Sequence, residues 1–366
     1  MKVLFRADAS LSIGSGHVMR CLTLAQGLTD RGHHCEFIVR KCPDNQATLI
    51  TDRGFTVHEL PPIYDCEAFE DPENIYLNWL GCSLEQDAMA VKPFIDRVKP
   101  DWVVIDHYAL DARWTKALQS DSKFLVIDDL ANRQHQCDLL LDQTLGRVLN
   151  DYSEFVPPHC KVLAGARYAL LRPEFSELRQ YSIDRRTDIS VQQVLVNLGG
   201  VDKDNITEQV LEVLARTALG RNSKIVAVLG GASPWKEEIR EALRAFPDSE
   251  LRINETQMAR LMADSDIAIG AAGSTSWERC CVGLPSIMVV LAENQKKVAY
   301  ELERVGAAIV LKEPARLNDE LKEVLCSLSS DTDNTLSRMT QKALEVTSGD
   351  GCAKVIRAME SMVKAN

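Results

Sequence analysis

Short apolar runs alternate with longer stretches of helical period along the whole chain, and no other feature restricts the fold as much. Strands are expected at Lys2-Arg6, Cys35-Val39, Thr56-Glu59, Trp102-Ile105, Phe124-Ile127 and Leu139-Leu141, with helices near 17–30, 44–53, 83–98 and 111–120. Such alternation predicts a parallel sheet covered on both faces. Pro93 is expected to kink or split the third helix. The stretch 60–82, with Pro61-Pro62 and Trp79, has no period and reads as a long loop, either a lid or an insertion. The alternation stops around Arg172-Pro173 and restarts at Gln193-Leu198, after a polar stretch suited to a linker with a short helix. Further strands are expected near 224–229, 249–253, 267–269, 286–290 and 307–310.

The reading is therefore α/β, with two doubly wound domains in tandem and their ligands in a cleft at the carboxyl ends of the strands. The chain has 366 residues, too many for one ordinary core. Boundaries are expected at 1–172 for the first domain, 173–190 for a linker and 191–348 for the second domain, with a final helix at 349–366 placed to cross back to the first.

Directly after the first strand comes Asp8-Ala-Ser-Leu-Ser-Ile-Gly-Ser-Gly-His-Val-Met-Arg20. A strand, a glycine-rich turn and a helix start form a place where backbone N–H groups face an anion. Gly14, Ser15 and Gly16 supply the turn, and His17 within it is a group able to take a proton near neutral pH. Many Gly-x-Gly turns only pack a helix on a sheet, so both uses stay open. A dinucleotide fingerprint would need a third glycine where Met19 stands, which argues against a nicotinamide cofactor. His107 and Tyr108 follow the fourth strand on the binding edge and are expected to line the site.

The second series carries a similar turn, in which Gly273, Ser274 and Thr275 lead from a strand into a helix. Glu278 falls in the first turn of that helix, either as a capping-box residue or as an acceptor for ribose hydroxyls. Gly199 and Gly200 end another strand, and Asn294 and Gln295 open a helix, as caps or as sugar contacts.

The formal net charge of −11 argues against nucleic-acid or anionic-membrane partners. Arg6 and Asp8 interrupt any signal-peptide core, no run is long enough to span a membrane, and a cytoplasmic location is expected. The eleven cysteines are scattered, with no Cys-x-x-Cys pair, and read as reduced, mostly buried thiols. No metal and no cofactor is expected; Asp202-Lys-Asp204 and Asp264-Ser-Asp266 read as turns and caps. A monomer with a small-molecule substrate is the expectation.

With these residues in view, the chain resembles the UDP-2,4-diacetamido-2,4,6-trideoxy-β-L-altropyranose hydrolases of pseudaminic acid biosynthesis. The resemblance is carried by Phe5-Arg-Ala-Asp-Ala9, Ile13-Gly-Ser-Gly-His-Val-Met-Arg-Cys-Leu22, Ile105-Asp-His-Tyr108, Val126-Ile-Asp-Asp-Leu-Ala-Asn-Arg133, Tyr168-Ala-Leu-Leu-Arg-Pro-Glu-Phe175, Val196-Asn-Leu-Gly-Gly200 and Gly270-Ala-Ala-Gly-Ser-Thr-Ser-Trp-Glu278. It implies two Rossmann-like domains of the GT-B type, UDP held mainly by the second, and hydrolysis rather than transfer. It maps a catalytic base onto His17, a ribose-binding carboxylate onto Glu278 and substrate contacts onto the loop bearing Arg172. A UDP-sugar-dependent glycosyltransferase would use the same second-domain turn but needs an acceptor site, and a non-catalytic sugar-nucleotide sensor would need no base at position 17.

Overall fold

Both sheets follow from the length and apolarity of their strands. In the computed structural model, which describes residues 1–8, 13, 16–42, 47–62, 74–186, 190–330 and 334–363, the first sheet has seven strands. They are β1 (Lys2–Ala7), β2 (His34–Arg40), β3 (Thr56–Leu60), β4 (Trp102–Asp106), β5 (Lys123–Ile127), β6 (Leu139–Asp142) and β7 (Lys161–Ala164). Their order is β3-β2-β1-β4-β5-β6-β7, every pair parallel. β7 is an addition to the expected set, and it forms an edge.

Because side chains alternate across a strand, each strand feeds two cores. Val3, Phe5, Phe37, Val104 and Leu125 pack with Val18, Leu22, Ala25 and Leu28 of the Gly16–Thr29 helix on one face. Leu4, Ile38, Val103, Ile105 and Val126 pack with Leu84, Ala88, Val91 and Ile95 of the Leu84–Val98 helix on the other. Pro93 does not split that helix. The carbonyl its missing N–H would have bonded is that of Met89, a residue 68% exposed.

The second sheet contains β8 (Gln193–Asn197), β9 (Lys224–Leu229), β10 (Ser249–Ile253), β11 (Ile267–Ala271), β12 (Ser286–Val289) and β13 (Ala308–Leu311). Its order is β10-β9-β8-β11-β12-β13, again parallel throughout. Numbered from its own first strand, each sheet begins 3-2-1-4-5-6, the doubly wound order in which the chain reverses direction beside the first strand.

The chain divides into two compact units, Met1–Leu170 with Asp350–Asn366, and Leu171–Gly349. In the first, Val355, Ile356 and Met359 of the Gly351–Val363 helix join the core beside the Gly16–Thr29 helix. In the second, the Pro173–Arg185 helix is anchored where Ser182 Oγ donates to Val282 C=O at 2.6 Å and Arg179 Nη1 to Cys281 C=O at 2.6 Å. Residues 187–189 of the expected linker and 63–73 of the expected lid lie outside the described residues. No helix among the described residues is long and apolar enough to cross a membrane.

Candidate functional site

Two groups of polar side chains gather at the carboxyl ends of the strands, one in each unit. In the first, His17 is the second residue of the Gly16–Thr29 helix, and its Nδ1 lies 2.6 Å from Asp106 Oδ1 at the end of β4. Arg20 is three residues on, hence on the same helix face. It grips the same carboxylate as a fork, Nε to Oδ2 at 2.6 Å and Nη2 to Oδ1 at 2.7 Å, and reaches Asp129 Oδ2 with Nη1 at 3.0 Å. Burial alone would raise the Asp106 carboxyl, but the Arg20 guanidinium and His17 outweigh it and hold the group well below the usual carboxylate range. An ionised carboxylate only accepts hydrogen bonds, so Nδ1 carries the ring proton of a neutral His17 and donates it. The lone pair is then on Nε2, which has no protein partner among the described residues and is not sealed from solvent. This is the arrangement of a general base oriented by an acid.

Tyr108 stands with its ring 4.7 Å from that of His17, edge to face. Behind it lie Tyr76 at 5.0 Å and Trp79 at 5.6 Å, so the described end of the 60–82 segment builds an aromatic wall beside the histidine. Burial, with the Asp129 carboxylate next, pushes the Tyr108 phenol up and keeps it protonated. Tyr76 and Arg133 also line a cavity of about 680 Å³, together with Asn74, Asp111, Lys116 and Phe155.

His107 departs from the expectation. It is 3% exposed, its Nδ1 accepts from the Ala109 N–H at 3.1 Å, and its Nε2 lies 3.4 Å from Asp8 Oδ2. Burial pushes its pKa down to about 4, so the ring stays neutral beneath the edge instead of lining it. Asp8 in turn pairs with Arg6, which also holds Asp87 at 2.8 Å, in a buried network completed by Arg40 and Trp114. Gly16 opens the helix with free space where a Cβ would stand, while Gly14 and Ser15 lie outside the described residues. Asp106, Arg20 and Asp129 are the residues that sequence reasoning missed. The available signal was the place of Asp106 at the carboxyl end of β4, the edge where ligands of such sheets lie.

In the second unit, β11 passes through Ala272, Gly273 and Ser274 into the Thr275–Cys281 helix. No capping box forms: Ser274 makes no side-chain cap bond, and Glu278 is one position too far along the helix. The Glu278 side chain is 18% exposed, with Arg172 Nη2 at 3.9 Å. Burial raises its carboxyl to about 7 against the weaker pull of Arg172 and Arg279. Arg172 also approaches Glu174 at 3.4 Å and the Thr256 carbonyl at 3.4 Å, and so belongs to the same edge as Glu278. Gly199 has φ +107°, a left-handed conformation open to glycine, and Gly200 follows it with free space at its Cα. Gln295 folds back to accept the Leu291 N–H at 2.9 Å, while Asn294 is exposed and caps neither adjoining helix.

The acidic pairs are structural. Asp202 caps the helix beginning at Ile206 through the N–H groups of Ile206 at 3.0 Å and Thr207 at 2.8 Å. Asp266 accepts from the N–H groups of Gln192 and Gln193, both at 2.8 Å.

Residues 193–351 match the model of the glycosyltransferase family 28 C-terminal domain. The chain is 26% identical to the UDP-2,4-diacetamido-2,4,6-trideoxy-beta-L-altropyranose hydrolase of Campylobacter jejuni, over 85% of this chain and 100% of that one. It is 27% identical to an uncharacterized protein of Methanocaldococcus jannaschii, over 81% of this chain and only 56% of the longer archaeal one. The crystal structure of Acinetobacter baumannii MurG superposes with a TM-score of 0.70 at 15% identity, covering 98% of this chain and 99% of that one. The fold is GT-B, with two Rossmann-like domains.

Proposed function

We propose that this protein hydrolyses a UDP-linked 2,4-diacetamido-2,4,6-trideoxyhexose to UDP and the free sugar, as a step of pseudaminic acid biosynthesis. The observation that carries the reading is the His17–Asp106 pair, with Nδ1 fixed by a carboxylate and Nε2 without a protein partner among the described residues. Water attacks the anomeric carbon while Nε2 takes one of its protons, and the anomeric C–O bond breaks with its electron pair leaving on UDP. Asp106 stabilises the imidazolium that forms. In the second unit, Glu278 accepts the ribose hydroxyls, the turn at Gly273, Ser274 and Thr275 receives the diphosphate, and Arg172, Gly199, Gly200, Asn294 and Gln295 make further contacts. The similarity to the Campylobacter hydrolase supports this choice of substrate.

Purified protein incubated with UDP-sugars and no acceptor tests the reaction. Release of UDP and sugar in equal amounts supports hydrolysis; no turnover turns the reading toward a UDP-sugar-dependent glycosyltransferase. One observation favours that second reading: the cavity of about 680 Å³ beside Tyr76 has room for an acceptor.

Among the described residues, no group of three His, Cys, Asp or Glu side chains is arranged to hold a metal ion. Activity is accordingly expected to persist in excess EDTA. Loss in EDTA with rescue by Mg²⁺ or Mn²⁺ would replace the metal-free mechanism.

Glu278 provides a test of binding. With its carboxyl raised to about 7, it is largely neutral at pH 5.5 and ionised at pH 8. Only the ionised form offers both oxygens as acceptors, so UDP affinity is expected to rise with pH through about 7. That rise should flatten in Glu278→Gln. Glu278→Ala should weaken UDP binding at pH 8 and act mainly on KM, since a ribose contact exists before and during reaction. Unchanged affinity by calorimetry would assign Glu278 a structural role.

A further inference from the structure

Arg279 lies within the Thr275–Cys281 helix and is 1% exposed. Its guanidinium doubles back beneath the turn that joins β11 to this helix. Nη2 donates to the Ala271 carbonyl at 2.8 Å and to Ser276 Oγ at 3.1 Å, and Nη1 lies 3.5 Å from Thr275 Oγ1. Every one of these acceptors is neutral. No carboxylate among the described residues forms an ion pair with Arg279, and its buried Nε has no partner.

The other buried arginines are compensated. Arg6 is held by Asp8 and Asp87, and Arg20 by Asp106 and Asp129. Arg186 also lacks a carboxylate in contact, but it takes the carbonyls of Met262, Ala263 and Ser265 at the end of the Met258–Asp264 helix, where the dipole favours a cation. Arg279 has its charge at the opening turn of a helix, the end where a cation is disfavoured. Burial lowers its pKa to about 10, as it does that of Arg186.

A buried cation without a counter-ion is costly, and such local violations of stability concentrate where function requires them. Two further features single out this turn. A Cβ on Gly270 would stand 2.4 Å from Arg279 Nη1, so the bare glycine is what lets the guanidinium lie there. Above it, the N–H groups of Gly273, Ser274 and Thr275 have no acceptor among the described residues, and a Cβ on Gly273 would meet open space.

We propose that Arg279 is a positioning residue that supplies, from beneath the Ala271–Thr275 turn, the fixed positive charge that draws a diphosphate onto it. The inference rests on the reading of a nucleoside diphosphate at this turn. In the unliganded protein only the more distant Glu278 offsets this charge, and the bound diphosphate supplies a second anion.

Calorimetry with UDP and with uridine, on wild type, Arg279→Gln and Arg279→Lys, tests this together with thermal melting of the unliganded proteins. Arg279→Gln retains hydrogen-bonding capacity and removes the charge. It should weaken UDP binding by roughly 10–100-fold and uridine binding by less than about 3-fold, because uridine has no phosphate to attract. Its unliganded Tm should equal or exceed that of wild type, whereas a group that only scaffolds the turn would lower Tm on removal. Arg279→Lys keeps a charge without the planar fork and should recover most of the UDP affinity. Equal loss in both variants, or an Arg279→Gln protein that unfolds or melts below wild type, overturns the proposal. Wild type that binds UDP beside an Arg279→Gln protein of unchanged affinity removes this inference and leaves the nucleotide reading standing. Wild type that does not bind UDP removes both.

Discussion

His17→Ala is expected to lower kcat by roughly 10²–10⁴-fold, the usual worth of a positioned acid–base group, while UDP affinity stays within about 2-fold of wild type. The direction follows from the role: a base that acts only as the proton moves stabilises the transition state and contributes little before it. The fold should survive, because Asp106 keeps its two bonds from Arg20 when the imidazole is gone. Full turnover by a folded His17→Ala protein would mean that another group takes the proton, or that none is needed.

How much of this was legible in the sequence depended on range. The strands that build both sheets announce themselves locally, since Trp102-Val-Val-Ile105 and Leu139-Leu-Leu141 are continuous apolar runs of the kind that a sheet buried on both faces requires. β7 gives no such signal: Lys161-Val-Leu-Ala164 is four residues long and sits at an edge, where one lysine is tolerated. Gly16 at the helix start before His17, and the turn before Glu278, were readable because strand, turn and helix follow one another in the chain. The partner of His17 was not, since Asp106 is 89 residues away and meets it only once β1 and β4 lie side by side. His107 was misread for the same reason; its histidine chemistry drew attention, while the turn after β4 sets its ring against Asp8, 99 positions earlier in the chain. Arg279 looked like an ordinary charge following Glu278, and only burial without a partner sets it apart.

Asp106→Asn decides whether the carboxylate serves His17 or only neutralises Arg20, and its effect on kcat should approach that of His17→Ala. An asparagine has one acceptor oxygen and one donor NH₂ where the carboxylate has two acceptors. With the amide nitrogen toward His17, it donates to Nδ1 and drives the ring proton to Nε2, the tautomer that cannot act as a base. With the oxygen toward His17, the NH₂ meets the Arg20 Nε–H head on, 2.6 Å from where an acceptor stood. Either orientation spoils the base, and a loss of roughly 10²–10⁴-fold in kcat is expected. Stability should fall too, by about 3–5 kcal/mol for a buried pair broken on one side, moderated by the bond from Arg20 to Asp129. The two losses separate in a double-mutant cycle measured well below Tm. If Asp106 acts through His17, the double variant His17→Ala/Asp106→Asn should be no slower than His17→Ala alone, because the carboxylate has nothing left to orient. If the two losses in kcat instead multiply, Asp106 acts on catalysis independently of the histidine, and a folded Asp106→Asn protein with near-normal kcat would reduce it to the counter-ion of Arg20.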